Sequence, residues 1–382
     1  MNGWKWLTGY AYSWRFFVRV VVKTLVLFAI ANLIFAVSNP IPFIGRISIY
    51  NWLVPGRDRL PYWESNESYN LGINSLEAMF SSHKISQPKK DNEFRVIVVG
   101  DSSVWGILLN NSDTLTGNLN KANIQIGDKK LVTYNIGHPV MSITKDLMLL
   151  EYALNYRPDL VVWLVTLEGM PYLKQLDAPL AQNNPSRIRS LINRFELKLD
   201  VNDPRFVDPD FWGRTIIGQR RPLADWWRLQ LYGIDWAATG IDQVNGSYTP
   251  RSNDLEPDDT WQGFKPDTGF QEGDIALDVL SAGHQLAGQV PLIMINEPIF
   301  VADGLNSDIR YNFWYPKWAY DYYRDLMAQT AEGANWNYVD LWDRIASQDF
   351  TDSPVHLNPA GSQQLSVLAG QAITDYVNHK SS

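Results

Sequence analysis

Two short segments of this chain carry residue types that together suit nucleophilic catalysis. In VIVVGDSSVWG, from Val96 to Gly106, Ser102 follows an apolar β-branched run. In DSPVHLNPAG, from Asp352 to Gly361, His356 precedes a helix start, with Asp352 four residues upstream. A serine hydroxyl is a weak nucleophile and needs a base within hydrogen-bond reach. A carboxylate on the far ring nitrogen fixes the imidazole tautomer and stabilises the imidazolium. Ser102, His356 and Asp352 thus read as nucleophile, base and orienting acid. At the turn after a strand, the Ser102 amide is also free to face a developing oxyanion. Read only as structure, Asp101-Ser102-Ser103 is a polar turn and His356 a helix-entry residue with capping neighbours.

Other chemistries find little support. The chain has no cysteine, which removes disulfides, thiolate metal sites and a cysteine nucleophile. Five histidines show no metal-binding spacing, and no metal or organic cofactor is expected. A formal charge of −8 gives no basic field for nucleic acid.

The elements that must position these residues alternate from Phe94 onward. Strands are expected at 95–99, 131–136, 160–165, 290–295 and 338–341. Helices are expected at 114–123, capped by Asp113, and at 142–156, 275–289 and 318–331. Asn358 caps a last helix with Pro359 in its first turn. Uninterrupted apolar strands with helices between them predict an α/β, flavodoxin-like three-layer sandwich around a parallel sheet. Ligands of such sheets sit beyond the carboxyl ends of the strands. GDSS, NIGHP, TLEG and NEP all follow strands, so Asp101, His138, Glu168 and Glu297 are expected to line one rim with Ser102.

Within this frame the chain resembles SGNH/GDSL-type hydrolases, a family of serine esterases and O-acyltransferases. The resemblance runs from Phe94 to Val377, interrupted by an insertion. GDSSVWG matches the first block and implies Ser102 as nucleophile. YNIGHP matches the second and implies Gly137 as an oxyanion donor beside Ser102. His356 with the following NPAG matches the last block. Two positions differ. The family's third block, Gly-x-Asn-Asp, is Thr166-Leu167-Glu168-Gly169 here; an ionised Glu168 would repel an oxyanion, and Thr166 or Asn296 could donate to it instead. Asp352 stands four residues before His356 instead of three.

Five regions are expected: a cytoplasmic N-terminus at 1–15, a transmembrane anchor at 16–37, a stalk at 38–92, and the hydrolase-like domain at 93–382 with its insertion at 170–273. Phe16 to Val37 is 22 residues with two charges, Arg19 and Lys23, near its start, long enough for a hydrocarbon core of roughly 30 Å. Lys5, Arg15, Arg19 and Lys23 precede or open the span, which places the N-terminus inside and the rest outside. A signal peptide cleaved at Ala36-Val37-Ser38 is the rival reading. Tyr50, Trp52, Tyr62 and Trp63 are expected to pack part of the stalk against the domain.

The insertion has two amphipathic stretches. Ile188, Leu191, Ile192, Phe195 and Leu199 share one helical face, and RRPLADWWRLQLYGIDW (220–236) follows later. Arg187 to Arg228 holds nine basic and six acidic residues, a local excess of +3. The region reads either as a cap packed on the sheet domain or as interfacial helices on anionic lipid. An aromatic run, Tyr311, Phe313, Trp314, Tyr315, Trp318, Tyr320, Tyr322 and Tyr323, suits either sugar stacking or a core.

The expected function is a membrane-anchored, extracytoplasmic serine esterase or O-acyltransferase. Its expected substrate is an acyl ester, acetyl foremost, of an envelope glycan. Expected partners are the lipid bilayer through 16–37, a carbohydrate substrate and a membrane acyl-donor protein. The alternative is a non-catalytic binding or scaffold protein at the cell surface.

Overall fold

A computed structural model describes residues 13–63, 69–243 and 246–381; Lys5 lies outside them. The helices, in chain order, are α1 Trp14–Ser38, α2 Ile41–Gly45, α3 Ile49–Leu53, α4 Leu76–Ser82, α5 Ser102–Trp105, α6 Leu115–Lys121, α7 Ile143–Ala153, α8 Pro179–Gln182, α9 Pro185–Phe195, α10 Arg220–Thr239, α11 Leu277–Ala287, α12 Lys317–Ala334 and α13 Pro359–Ser381. The strands are β1 Glu93–Gly100, β2 Gln125–Ile126, β3 Lys129–Gly137, β4 Leu160–Val165, β5 Leu292–Asn296 and β6 Asn337–Asp340.

The sheet order is β2-β3-β1-β4-β5-β6. Five strands run parallel. The expected all-parallel sheet is corrected at one edge, where β2 pairs antiparallel with the start of β3. Beyond β2 the open β3 edge is closed by a side chain: Asn120 accepts from the Thr133 amide at 2.8 Å and donates to its carbonyl at 2.9 Å. Such plugging blunts an edge that would otherwise template strand addition.

Alternation along the strands divides the interior in two. Ile97 and Val99, with Val161, Trp163 and Val165, face one core; Val96 and Val98, with Leu160, Val162 and Leu164, face the other. Both faces are apolar because both are covered, which is why LVVWLV reads as a continuous run. The chain passes from β1 to β3 on one side and then returns to β4 on the other. The carboxyl end of β1 is therefore the point where strand order reverses, the place where doubly wound sheets open a crevice. Ser102 sits there.

Segment 38–92 is not a free connector. Leu60, Leu71, Leu76, Met79, Phe80 and Ile85 are buried in the first core. Tyr50 is buried and Tyr62 half-buried, whereas Trp52 and Trp63 are exposed. The helix expected at 114–123 is capped by Thr114, whose Oγ1 accepts from the Gly117 amide at 3.1 Å, and not by Asp113. In the insertion, Ile188, Leu191 and Ile192 of α9 join the same core. The aromatic run is mostly interior: Tyr315, Tyr320 and Tyr323 are fully buried.

Two histidines are locked neutral by burial. His83 Nδ1 accepts from the Ile85 amide at 3.0 Å, so Nε2 donates to the Asp58 carbonyl. Burial pushes the His83 ring down to about 4 and, with help from the Lys145 charge, the His138 ring down to about 3. Between those values and the unfolded value near 6.5, the unfolded chain binds protons that the folded one refuses. Their stabilisation is therefore whole above about pH 6.5 and drains as pH falls. At pH 5 the loss is about 2 kcal/mol for each ring. Chemical unfolding across pH should show this slope, and His83→Gln should flatten it; an unchanged slope would remove His83 from the account.

Candidate active site

Ser102 opens α5, a four-residue helix that begins where β1 ends. Asp101 caps it, its Oδ1 accepting from the Ser103 amide at 2.8 Å. Among the described residues the Ser102 amide meets no hydrogen-bond acceptor. The turn also needs a close approach from β3. A Cβ on Gly137 would lie 2.5 Å from the Trp105 nitrogen and 2.7 Å from Val104 Cγ1, so glycine lets α5 rest on the strand end.

His356 reaches this turn from the far end of the chain. Its Nε2 lies 2.9 Å from Ser102 Oγ, and its Nδ1 lies 2.9 Å from Asp352 Oδ1. The three residues thus form one unbroken line. The four-residue spacing is accommodated by a tight reversal in which Phe350 bridges Leu357 antiparallel and the Thr351 amide donates to the His356 carbonyl at 2.8 Å. That closure turns both side chains to one side. The hydrogen bond from His356 holds the Asp352 carboxyl below its ordinary range, so it remains the charged partner. Asp349 plays another part: it accepts from Gln364 at 2.8 Å and, through its carbonyl, from the Asn358 amide. Asn358 Oδ1 then caps α13 through the Gly361 amide at 2.9 Å.

The other rim residues are placed differently from expectation. The Gly137 amide donates to Asn135 Oδ1 at 3.0 Å. Asn296 is fully buried. Its amide donates to Asp340 Oδ1 at 2.9 Å, and its Oδ1 accepts from the hydroxyls of Tyr320 and Tyr323. Its side chain is consumed by α12 and β6, which corrects the expectation that it reaches an oxyanion. Thr166 is buried, and its hydroxyl shares a 3.0 Å hydrogen bond with Tyr315, which also accepts from the Glu168 amide. Glu168 is ion-paired to Lys174, which neutralises the charge that would otherwise repel an oxyanion.

His138 and Glu297 line no open rim; both are buried. Glu297 accepts from the Oγ of Ser103, the residue next to Ser102. Burial, reinforced by the charge of Asp101, pushes its carboxyl well above the usual range, which favours the protonated form. Two neighbours on α7 were not anticipated. The fully buried Lys145 pairs with Asp146 at 2.9 Å and donates to the His138 carbonyl, while lying 3.5 Å from the Gly100 carbonyl. It therefore ties together the ends of β1 and β3. Burial, opposed by Lys145, lifts Asp146 to about 6.

Arg251, from the insertion, is a third unanticipated residue. Its Nη1 donates to the Phe350 carbonyl at 2.5 Å and its amide to the Thr351 carbonyl at 3.1 Å; Nη2 reaches the Ser347 carbonyl. Its guanidinium lies 4.3 Å over the Phe300 ring. Arg251 thus fastens the reversal that carries Asp352 and His356. If the Ser102–His356–Asp352 line cleaves esters, Arg251→Met should lower kcat about 10- to 100-fold with little change in KM, since a 1 Å misplacement costs on that scale. Steady-state kinetics read this directly, and a change in KM alone would refute the positioning role.

A groove of about 850 Å³ lies on the β3 side and is lined by Trp52, Gly56, His83, Lys90, Thr133 and Tyr134. None of Ser102, His356 and Asp352 borders it. Among the described residues no cluster of acidic or histidine side chains could hold a metal ion.

No family model matches this sequence, and no curated protein matches it significantly. Among solved structures, the chain is similar to the native aryl esterase of M. smegmatis, with 11% identity and a TM-score of 0.33 over 74% of this chain and 98% of that one. The inhibitor-bound form of that esterase gives 10% identity and a TM-score of 0.34, with the same coverage. A carbohydrate acetylesterase family member from Sinorhizobium meliloti gives 11% identity and a TM-score of 0.32, over 74% of this chain and 99% of that one. The functional reading rests on the geometry of the site itself.

Proposed function

We propose that this chain is a serine esterase or O-acyltransferase of the SGNH type, anchored in a membrane by α1 and facing away from the cytoplasm. One observation carries the reading: the Ser102–His356–Asp352 line, with 2.9 Å at each step. In this proposal Ser102 Oγ attacks an acyl carbonyl as His356 Nε2 takes its proton. Asp352 holds the imidazolium, and the leaving alcohol receives the proton as the acyl-enzyme forms. Water or a carbohydrate hydroxyl then takes the acyl group by the reverse path. The Ser102 amide is the first oxyanion donor. Gly137 becomes the second if its amide leaves Asn135, and Thr166 is the nearest candidate for a third.

The five parallel strands, taken without β2, have the order expected of a flavodoxin-like sheet. A 25-residue apolar helix, α1, is long enough to cross a bilayer. An envelope glycan as acyl acceptor, acetyl as the acyl group and a membrane acyl-donor protein belong to the same proposal. The test measures the fate of acetyl from a soluble aryl acetate in the presence of carbohydrate acceptors. Acetylated sugar rising with acceptor concentration supports transfer, and free acetate alone supports hydrolysis. Neither product would favour the second reading, a non-catalytic scaffold. The occupied Gly137 amide is the observation on that side.

A further inference from the structure

Helix α10 has two apolar faces, and only one is used. Its inner face buries Leu229, Gln230, Gly233 and Trp236. Gln230 Oε1 accepts from the Ile49 amide at 2.7 Å, Trp226 Nε1 donates to the Ile47 carbonyl at 2.9 Å, and the Tyr50 ring lies where a Cβ on Gly233 would be. This fastens α10 to α2 and α3, the segment that follows α1 directly. On the outer face Trp227, Leu231 and Ile234 are 56%, 64% and 40% exposed at successive helical turns, with Ala224 and Ala238 continuing the stripe. A surface helix of a water-soluble domain should be polar there.

The loop before α10 touches α1 itself. The Ile217 amide donates to Asn32 Oδ1 at 3.4 Å, and Asn32 and Ala36 are the buried residues of α1. Asn32 precedes the helix end, Ser38, by six residues, or about 9 Å at 1.5 Å per residue. This loop therefore sits alongside the last turns of the span and not beyond them. Its exposed side chains include Phe211, Trp212 and Ile217. Arg214 in this loop and Arg220 just after it are exposed cations of the kind that anionic headgroups attract. Interfacial elements bury apolar side chains roughly 5–10 Å into the headgroup and acyl boundary, the depth that Asn32 marks.

We propose that the outer face of α10 and the 211–217 loop bed into the bilayer leaflet at the end of α1, holding the catalytic domain in a fixed orientation on the membrane. The occupant is the bilayer because the face is continuous with the span, and the inference rests on the reading of α1 as a membrane anchor.

The cysteine-free chain makes the test direct. Single variants Ile217→Cys, Trp227→Cys and Leu231→Cys, with Leu27→Cys in the span and Asp128→Cys on a distant loop, are labelled with an environment-sensitive fluorophore. The full-length protein is reconstituted into phosphatidylcholine–phosphatidylglycerol vesicles carrying shallow or deep nitroxide lipids. Unchanged hydrolysis of a soluble ester reports that each variant is folded. Expected is quenching of the three docking positions by the shallow nitroxide at least about threefold above Asp128→Cys, with Leu27→Cys quenched by the deep one. Quenching at Leu27→Cys with the docking positions no different from Asp128→Cys would overturn the docking face and leave the anchor standing. No quenching at Leu27→Cys would overturn both.

Discussion

Ser102→Ala is expected to lower kcat for hydrolysis of a simple aryl acetate by at least about 10³-fold and up to about 10⁶-fold, the range seen when a triad nucleophile is removed. Its KM should change little, because the hydroxyl makes its decisive contact only as the carbonyl is attacked. The fold should not notice. Ser102 loses one hydrogen bond to His356, and no cavity larger than the missing oxygen is created. Asp101 still caps α5, and Gly137 still admits it. Thermal unfolding within about 2 °C of the parent is thus expected, since the loss of one hydrogen bond costs about 1 kcal/mol. Steady-state kinetics beside a melting curve check both halves. Residual activity within tenfold of the parent, with the fold intact, would mean that another group performs the attack.

Lys145→Met is expected to give the largest loss of stability, about 3–5 kcal/mol, because it strands the buried Asp146 without its partner. The ammonium also holds the ends of β1 and β3 through the Gly100 and His138 carbonyls. Removing it should therefore depress kcat as well, although Lys145 touches none of the three aligned residues. Replacing both members of the pair, Lys145→Met with Asp146→Leu, should recover much of the stability, as a well-packed apolar pair often does. It should not recover kcat, because the tie between the strand ends is still missing. Denaturant unfolding at neutral pH separates these outcomes. A loss below about 1 kcal/mol for Lys145→Met would show that the pair contributes little net stability.

The parts of this molecule that were legible in sequence are those fixed by local pattern. LVVWLV from Leu160 to Val165 is β4 at its predicted bounds, because both faces of a covered strand must be apolar. Ser102 and His356 stand at or near element boundaries, after β1 and before α13, where capping and turn residues mark the chain, and the structure brings both into line with Asp352. The extra residue before His356 is absorbed by the Phe350–Leu357 bridge.

What was hidden depends on partners far along the chain. Asn296 follows a strand like any rim residue, yet three side chains from α12 and β6 claim its amide. Lys145 and Asp146 lie within an amphipathic helix pattern that says nothing of a buried ion pair. Arg251 sits in a proline- and aspartate-rich stretch, and only the folded chain brings it to the His356 reversal. Prolines and a polar run made 38–92 read as a stalk. Leu60, Leu71 and Phe80 overrode that composition by completing the first core. For α10, the sequence favoured a packed cap over an interfacial helix. The structure shows the inner face packed and the outer one bare.

The central claim is that Ser102 is a nucleophile activated by His356. It is tested most directly by treating the full-length protein with a fluorophosphonate and mapping the adduct by mass spectrometry. The account predicts one covalent adduct, on the Ser102 peptide, absent from Ser102→Ala and formed far more slowly in His356→Ala. An unlabelled parent, or equal labelling of Ser102→Ala, would contradict it.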